Sequence, residues 1–154
     1  MRLKSAKINR IEVNVMTEGN LREFECIEPD EDAYADYSAR FGQYNQDGSG
    51  WRVQTFSLIL RDGERIIAGG RGHVYLGALE VRGLWVDDLL RGQGVGSDLF
   101  RAIEQEAKRR GATKAMLYTY SWQAEAFYEA YGYKEFARFD FPKGHYRVDM
   151  QKAL

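Results

Sequence analysis

Leu84-Trp85-Val86-Asp87-Asp88-Leu89-Leu90-Arg91-Gly92-Gln93-Gly94-Val95-Gly96-Ser97-Asp98-Leu99-Phe100 decides how the rest of the chain is read. An apolar strand enters this stretch, three alternating glycines follow, and an amphipathic helix leaves it. Side chains are missing at 92, 94 and 96, where the helix begins, so several backbone N–H groups are left pointing outward. The first turn of a helix has unpaired donors and a partial positive charge, a combination suited to phosphate. Arg91 adds a full charge at the mouth of the loop. The stretch reads as a cradle for a pyrophosphate; the alternative is a tight strand-to-helix turn that binds nothing.

The same letters exclude two other phosphate loops. A dinucleotide fingerprint needs a third glycine where Ser97 stands, and a P-loop needs a lysine that is absent between 91 and 100. What remains is Arg91-x-x-Gly94-x-Gly96.

Working outward, the composition narrows the class of function. A chain of 154 residues is read as one domain with room for a real core. Lys and Arg total 22 against 23 for Asp and Glu, so no strong field favours nucleic acid or an anionic membrane. The single cysteine, Cys26, excludes an internal disulfide framework and agrees with a reducing compartment. Polar sequence after Met1 and the lack of a long apolar run predict a cytoplasmic protein without signal peptide or membrane span. His73 and His145 sit alone, with no spacing that suggests a metal.

Before the loop, residues 6–16 carry apolar side chains at 11, 13 and 15 and predict a strand. Pro29 followed by Asp30-Glu31-Asp32 predicts a helix start, and the helix places Tyr34, Tyr37, Phe41 and Tyr44 on one stripe. That stripe reads as a core face or, in part, as a wall for a substrate. Residues 42–50, polar and glycine-rich, predict a loop. Asp62-Gly63 between the runs 51–60 and 65–70 predicts a hairpin, with 74–79 continuing extended. Apolar residues fall at 79 and 81, then at 84 and 86, a change of phase that predicts a β-bulge at Arg82-Gly83. A bulge there would leave an N–H near Trp85 or Val86 free to bind an extended ligand.

After the loop, Val95, Leu99, Ile103 and Ala107 form one helix face, with Glu104–Lys108 and Glu106–Arg110 as exposed pairs and Gly111 as the stop. Residues 114–120 predict a strand, and 122–131 a helix capped by Ser121 and closed by Gly132. Residues 133–141 and 145–150 predict two further strands around Pro142-Lys143-Gly144.

Within that half stands Ala124-x-x-Phe127-Tyr128-x-x-x-Gly132-Tyr133, behind the strand at 115–119. With the Arg91–Gly96 loop ahead of it, the order and spacing are similar to those of the GNAT superfamily of N-acetyltransferases. The chain most resembles a bacterial branch that also reads Leu84-Trp85-Val86, Gln123-Ala124 and Pro142-Lys143-Gly144-His145. The resemblance is strong from about 66 to 154 and weak before that.

The resemblance implies an α+β (mixed α/β) fold, a bent mixed sheet splayed into a V with helices on both faces. Acetyl-CoA lies in the opening as co-substrate, and no metal is needed. By this analogy Leu84, Trp85 and Val86 pair with pantetheine. Arg91, Gly92, Gln93, Gly94, Val95, Gly96 and Ser97 take the diphosphate. Ser121 occupies the column where many relatives carry Asn, and its shorter side chain leaves that donor contact open. Tyr128 matches the family's general acid, since a phenol keeps its proton at neutral pH and can donate to a departing thiolate. Glu80 matches a column where some relatives place a catalytic base; pairing with Arg82 is the competing reading. A main-chain N–H near Val86 would hold the oxyanion. The implied activity is acyl transfer to a primary amine of a small molecule or peptide, and such proteins are often homodimers. A non-catalytic acyl-CoA sensor is the alternative, and a nucleotide-binding domain the third reading. The acceptor's identity is not encoded in any of these motifs.

Overall fold

The computed structural model describes residues 12–17 and 20–154, with side chains from residue 24 onward. Its backbone falls into two compact units, one ending at Gly50 and the other running Trp51–Leu154. In the first, β1 (Glu12–Thr17) and β2 (Asn20–Glu25) form an antiparallel pair. The strand expected over 6–16 is present from residue 12; residues 6–11 lie outside the described ones.

The helix expected after Pro29 is α1 (Asp32–Ser49), but it runs on through the stretch read as a loop and ends at Gly50, φ 69°. Gly42 and Gly48 are tolerated because i,i+4 pairs brace the helix: Arg40 Nε donates to Asp36 at 2.8 Å and Gln43 Nε2 to Asp47 at 2.6 Å. No residue of α1 is buried, so the stripe Tyr34, Tyr37, Phe41 and Tyr44 does not form a core face.

The second unit is built on one six-stranded sheet. Its strands are β3 (Gln54–Asp62), β4 (Arg65–Tyr75), β5 (Ala78–Val86), β6 (Lys114–Tyr120), β7 (Lys134–Asp140) and β8 (Tyr146–Ala153). Their order is β3-β4-β5-β6-β8-β7, with β5–β6 parallel and every other pair antiparallel. The hairpin at Asp62-Gly63 is present. Residues 74–79 do not continue extended: Leu76 (φ 50°) and Gly77 (φ 73°) turn the chain in two residues and begin β5. The bulge lies where the phase change put it, since Arg71 faces Gly83 while Gly72 faces Val81, leaving Arg82 as the extra residue.

One irregularity of the sheet positions everything that follows. β5 and β6 pair only over Ala78–Val81 and Lys114–Leu117. Beyond that point β5 stays on β4, and β6 stays on β8 up to Tyr120, so the sheet opens like a V. Helix α2 (Val95–Arg109) packs on the β3–β5 half and buries Leu99, Phe100, Ile103 and Ala107. Gly70 permits this closeness, because a Cβ there would sit 2.4 Å from Ile103 Cδ1; Gly72 instead makes room for the ring of Phe56 on β3, which a Cβ would approach to 2.6 Å. The exposed pair expected for Glu104 is not made. Glu104 turns inward to accept from Tyr133 Oη (3.1 Å) and Lys152 Nζ (2.9 Å), so the polar group is buried with its partners. Glu106 binds Arg109 and Arg110, which hold its carboxyl at about 2. Helix α3 (Glu125–Ala130) is shorter than expected and starts from Ala124, so Ser121 is not its cap.

Candidate active site

The opening between β5 and β6 is a cavity of about 980 Å³. On its β5 side the backbone has groups to spare. Asp87 N–H donates to Ile67 on β4 at 3.0 Å, and strand alternation then turns the N–H groups of Val86 and Leu84 toward the opening, where β6 no longer meets them. These are edge groups inside a sheet; the parting of β5 from β6 frees them rather than the bulge at Arg82, which lies in the β4 pairing, and of the two residues expected only Val86 turns its N–H to the opening.

After β5, Asp87 accepts from Leu89 N and from Arg65, fixing a single 3₁₀ turn over Asp88–Leu90. The amides of Leu90, Arg91 and Gln93 are used within this turn, at 2.9, 3.3 and 3.4 Å. Among the described residues, those of Gly92, Gly94, Val95, Gly96 and Ser97 have no acceptor; the first capped amide is Asp98, bound to Gly94 O at 3.0 Å. Gly92 (φ 74°) and Gly94 (φ 85°) hold the left-handed backbone that turns these groups outward, with open space where a Cβ would stand. Arg91 pairs with Asp88 at 2.6 Å, both ends well exposed. Unpaired donors, a helix N-terminus and an exposed guanidinium fit a diphosphate.

On the facing side, α3 presents Tyr128. Its ring packs edge-on against Phe100 (5.4 Å) and Phe127 (5.2 Å). Burial raises the phenol's pKa above its ordinary value, so the proton stays in place at neutral pH. Among the described residues no side chain hydrogen-bonds its hydroxyl.

Of the residues anticipated from sequence, Leu84, Trp85, Val86 and Arg91 line the cavity with Gly92, Gly94, Gly96, Ser97 and Tyr128. Gln93 does not, because its side chain turns back to donate to Leu89 O at 2.7 Å. Val95 packs against the core. Ser121 is drawn to the β8 side, where its Oγ lies 3.3 Å from His145 Nδ1 and accepts from Tyr146 N. Glu80 is not among the lining residues; it is bound by Arg82 Nη1 (2.7 Å) and approached by Tyr75 Oη (3.4 Å). The pairing with Arg82 is therefore present, on a carboxylate whose side chain keeps 21% of its surface open.

The second wall was not anticipated as such. Tyr118, Tyr120 and Trp122 face the cavity, as do Gln123 and Phe127. The alternation of Tyr118 and Tyr120 around buried Thr119 was a usable signal, since it places both tyrosines on one side of β6.

Comparison with known proteins gives four relevant likenesses. The family model described as the acetyltransferase (GNAT) family matches residues 14–133. An acetyltransferase of Agrobacterium fabrum is 32% identical over 96 residues, 62% of this chain and 65% of that one. Blasticidin-S acetyltransferase of Streptomyces morookaense is 41% identical over 81 residues, 51% and 60% of the two. The chain thus spans less than two thirds of the length of these curated relatives. A crystal structure of an acetyltransferase from Bacillus cereus superposes with a TM-score of 0.69 at 33% identity, covering 84% of this chain and 97% of that one. Among the described residues no group of His, Cys, Asp and Glu is placed to hold a metal, and no helix is long and apolar enough to cross a membrane.

Proposed function

We propose that this chain, which belongs to the GNAT acetyltransferase family, carries an acetyl group from acetyl-CoA directly to a primary amine while both substrates are bound. The observation that carries the reading is the set of unengaged amides at Gly92 and Gly94–Ser97, opening into the gap between β5 and β6. Those amides take the diphosphate oxygens, and Arg91 exchanges Asp88 for phosphate. That exchange costs little, because an exposed ion pair contributes only about 0–1 kcal/mol. Pantetheine lies along the free edge of β5 as an added strand, meeting the backbone of Leu84 and Val86.

In the transfer the amine nitrogen attacks the thioester carbon, and the carbonyl oxygen gains charge beside a main-chain N–H near Val86. The C–S bond then breaks and the thiolate takes its proton from Tyr128, which is reprotonated from solvent. The amine's surplus proton leaves through water toward Glu80. Glu80→Gln is expected to lower kcat about 100-fold with the acetyl-CoA Kd unchanged. An unchanged kcat would leave Glu80 with the pairing of Arg82 alone.

The donor reading is tested by melting. Acetyl-CoA at 100 times its Kd should stabilise the protein by about 2.7 kcal/mol, roughly 5–10 °C in Tm, with no such shift from ATP or NAD. Thiol release that depends on added amine should accompany it. A protein indifferent to millimolar acetyl-CoA would overturn the assignment, and binding without any amine-dependent thiol release would point to a sensor.

A further inference from the structure

We propose that the turn carrying Tyr120 and Trp122 is the platform on which the acceptor rests, and that the acceptor is a primary amine borne on a flat aromatic or heteroaromatic ring. The inference rests on the donor reading above, because it places the second substrate in the same cavity.

Trp122 is 61% exposed, an unusual position for so large an apolar side chain. Its neighbours nonetheless hold it in one orientation. The Tyr120 ring stacks beneath it at 4.7 Å and 5°, and His145 meets it edge-on at 5.1 Å. Phe141 tilts against Tyr120 at 6.2 Å. The backbone below is tied as well: Ser121 N donates to Tyr146 O (2.9 Å) and Gln123 N to Tyr120 O (2.8 Å). Gln123 Oε1 accepts from both Thr119 Oγ1 and Tyr120 N at 3.2 Å. An exposed aromatic fixed in this way has already lost its rotamer freedom, so a ligand that covers it does not have to order it. With Tyr120 beneath it and His145 at its edge, the open face of the indole is a flat apolar surface, and Tyr120 and Trp122 both line the donor's cavity.

Flat surfaces of this kind select flat partners, through offset stacking and the area it covers. The ring that would attract a cationic acceptor on this wall, Tyr118, is already covered. Arg147 already lies over Tyr118 at 4.1 Å, occupying the ring that a cationic acceptor would use. Arg147 is itself paired with Asp149, so an uncharged ring resting on Trp122, with its amine reaching toward the thioester, displaces neither partner.

Matched amines provide the test. Benzylamine and cyclohexylmethylamine have the same reach and differ in flatness. The wild-type protein should acetylate benzylamine with a kcat/KM at least about tenfold higher, and it should turn over spermidine poorly. Trp122→Ala should remove that preference by raising the KM for benzylamine about tenfold, while the KM for acetyl-CoA and its effect on Tm stay as in the wild type. Trp122→Phe, which keeps a flat ring, should restore most of the preference. Equal rates on the matched pair, or turnover of aliphatic amines alone, overturn the inference and leave the donor site standing. So does a rise in the acetyl-CoA KM in Trp122→Ala, which would give this turn to the donor. Loss of acetyl-CoA binding by the wild type itself would be a failure of the donor reading, and is seen separately in the melting measurement.

Discussion

Tyr128→Phe is expected to lower kcat by about 10²- to 10⁴-fold while the acetyl-CoA Kd stays within about twofold of the wild type. The substitution deletes one oxygen and leaves the ring where it is, edge-on to Phe100 and Phe127. What goes is the proton for the departing thiolate. Amine-dependent thiol release measures the first quantity and calorimetric titration of acetyl-CoA the second. The pH dependence follows from the same residue. Burial raises the phenol's pKa above its ordinary value, so the acid remains loaded until the pH passes that raised value. The alkaline loss of rate from this group therefore lies above an ordinary phenol's pKa of about 10, and kcat should not fall for this reason through pH 9. A fall centred below that, or an unchanged kcat in Tyr128→Phe, would remove Tyr128 from the chemistry.

Gly94→Val is expected to weaken acetyl-CoA binding by about 100-fold, or about 2.7 kcal/mol, with the fold retained. At φ 85° a β-branched residue costs roughly 1–2 kcal/mol through its backbone alone, and the side chain would stand in the open space before the free amides. Gly111→Ala supplies the matching control at the other end of α2. Gly111 also has positive φ, 89°, and open space around it, but it lies far along the chain from the cradle. It should lower Tm and leave the acetyl-CoA Kd alone. If both variants bound acetyl-CoA equally well, the cradle would not be the diphosphate site.

Where the sequence could be read, the responsible interactions were local. The Asp62-Gly63 hairpin, the bulge at Arg82 and the glycine loop before α2 each depend on residues within a few positions of one another. The misreadings have equally definite causes. Gly42 and Gly48 signal a break because each glycine costs about 1 kcal/mol in a helix, yet the Arg40–Asp36 and Gln43–Asp47 pairs brace α1. Leu76 at φ 50° gives no warning of a two-residue turn, since a leucine rarely adopts that backbone. Glu104 has Lys108 one turn away, but its actual partners lie 29 and 48 residues along the chain, beyond any local rule. At the site, the family motif pointed to Tyr128 and the glycine loop. The platform at Tyr120 and Trp122 depends on how β6 meets β8, a relation that the register sets and the spacing of residues along the chain does not.

Phe100 has a consequence for how this chain can change. From α2 it meets Phe127, Tyr128, Tyr131 and Tyr133 at centroid distances of 5.2–5.6 Å, so the proposed acid is one spoke of the wheel that holds the interior together. Substitutions that retune the acid will disturb cohesion as well. Trp122 is outside that wheel, fastened by its own turn and open to solvent. On the proposed mechanism, choice of acceptor can therefore drift by replacing one surface ring, while the machinery that breaks the thioester stays locked to the stability of the protein.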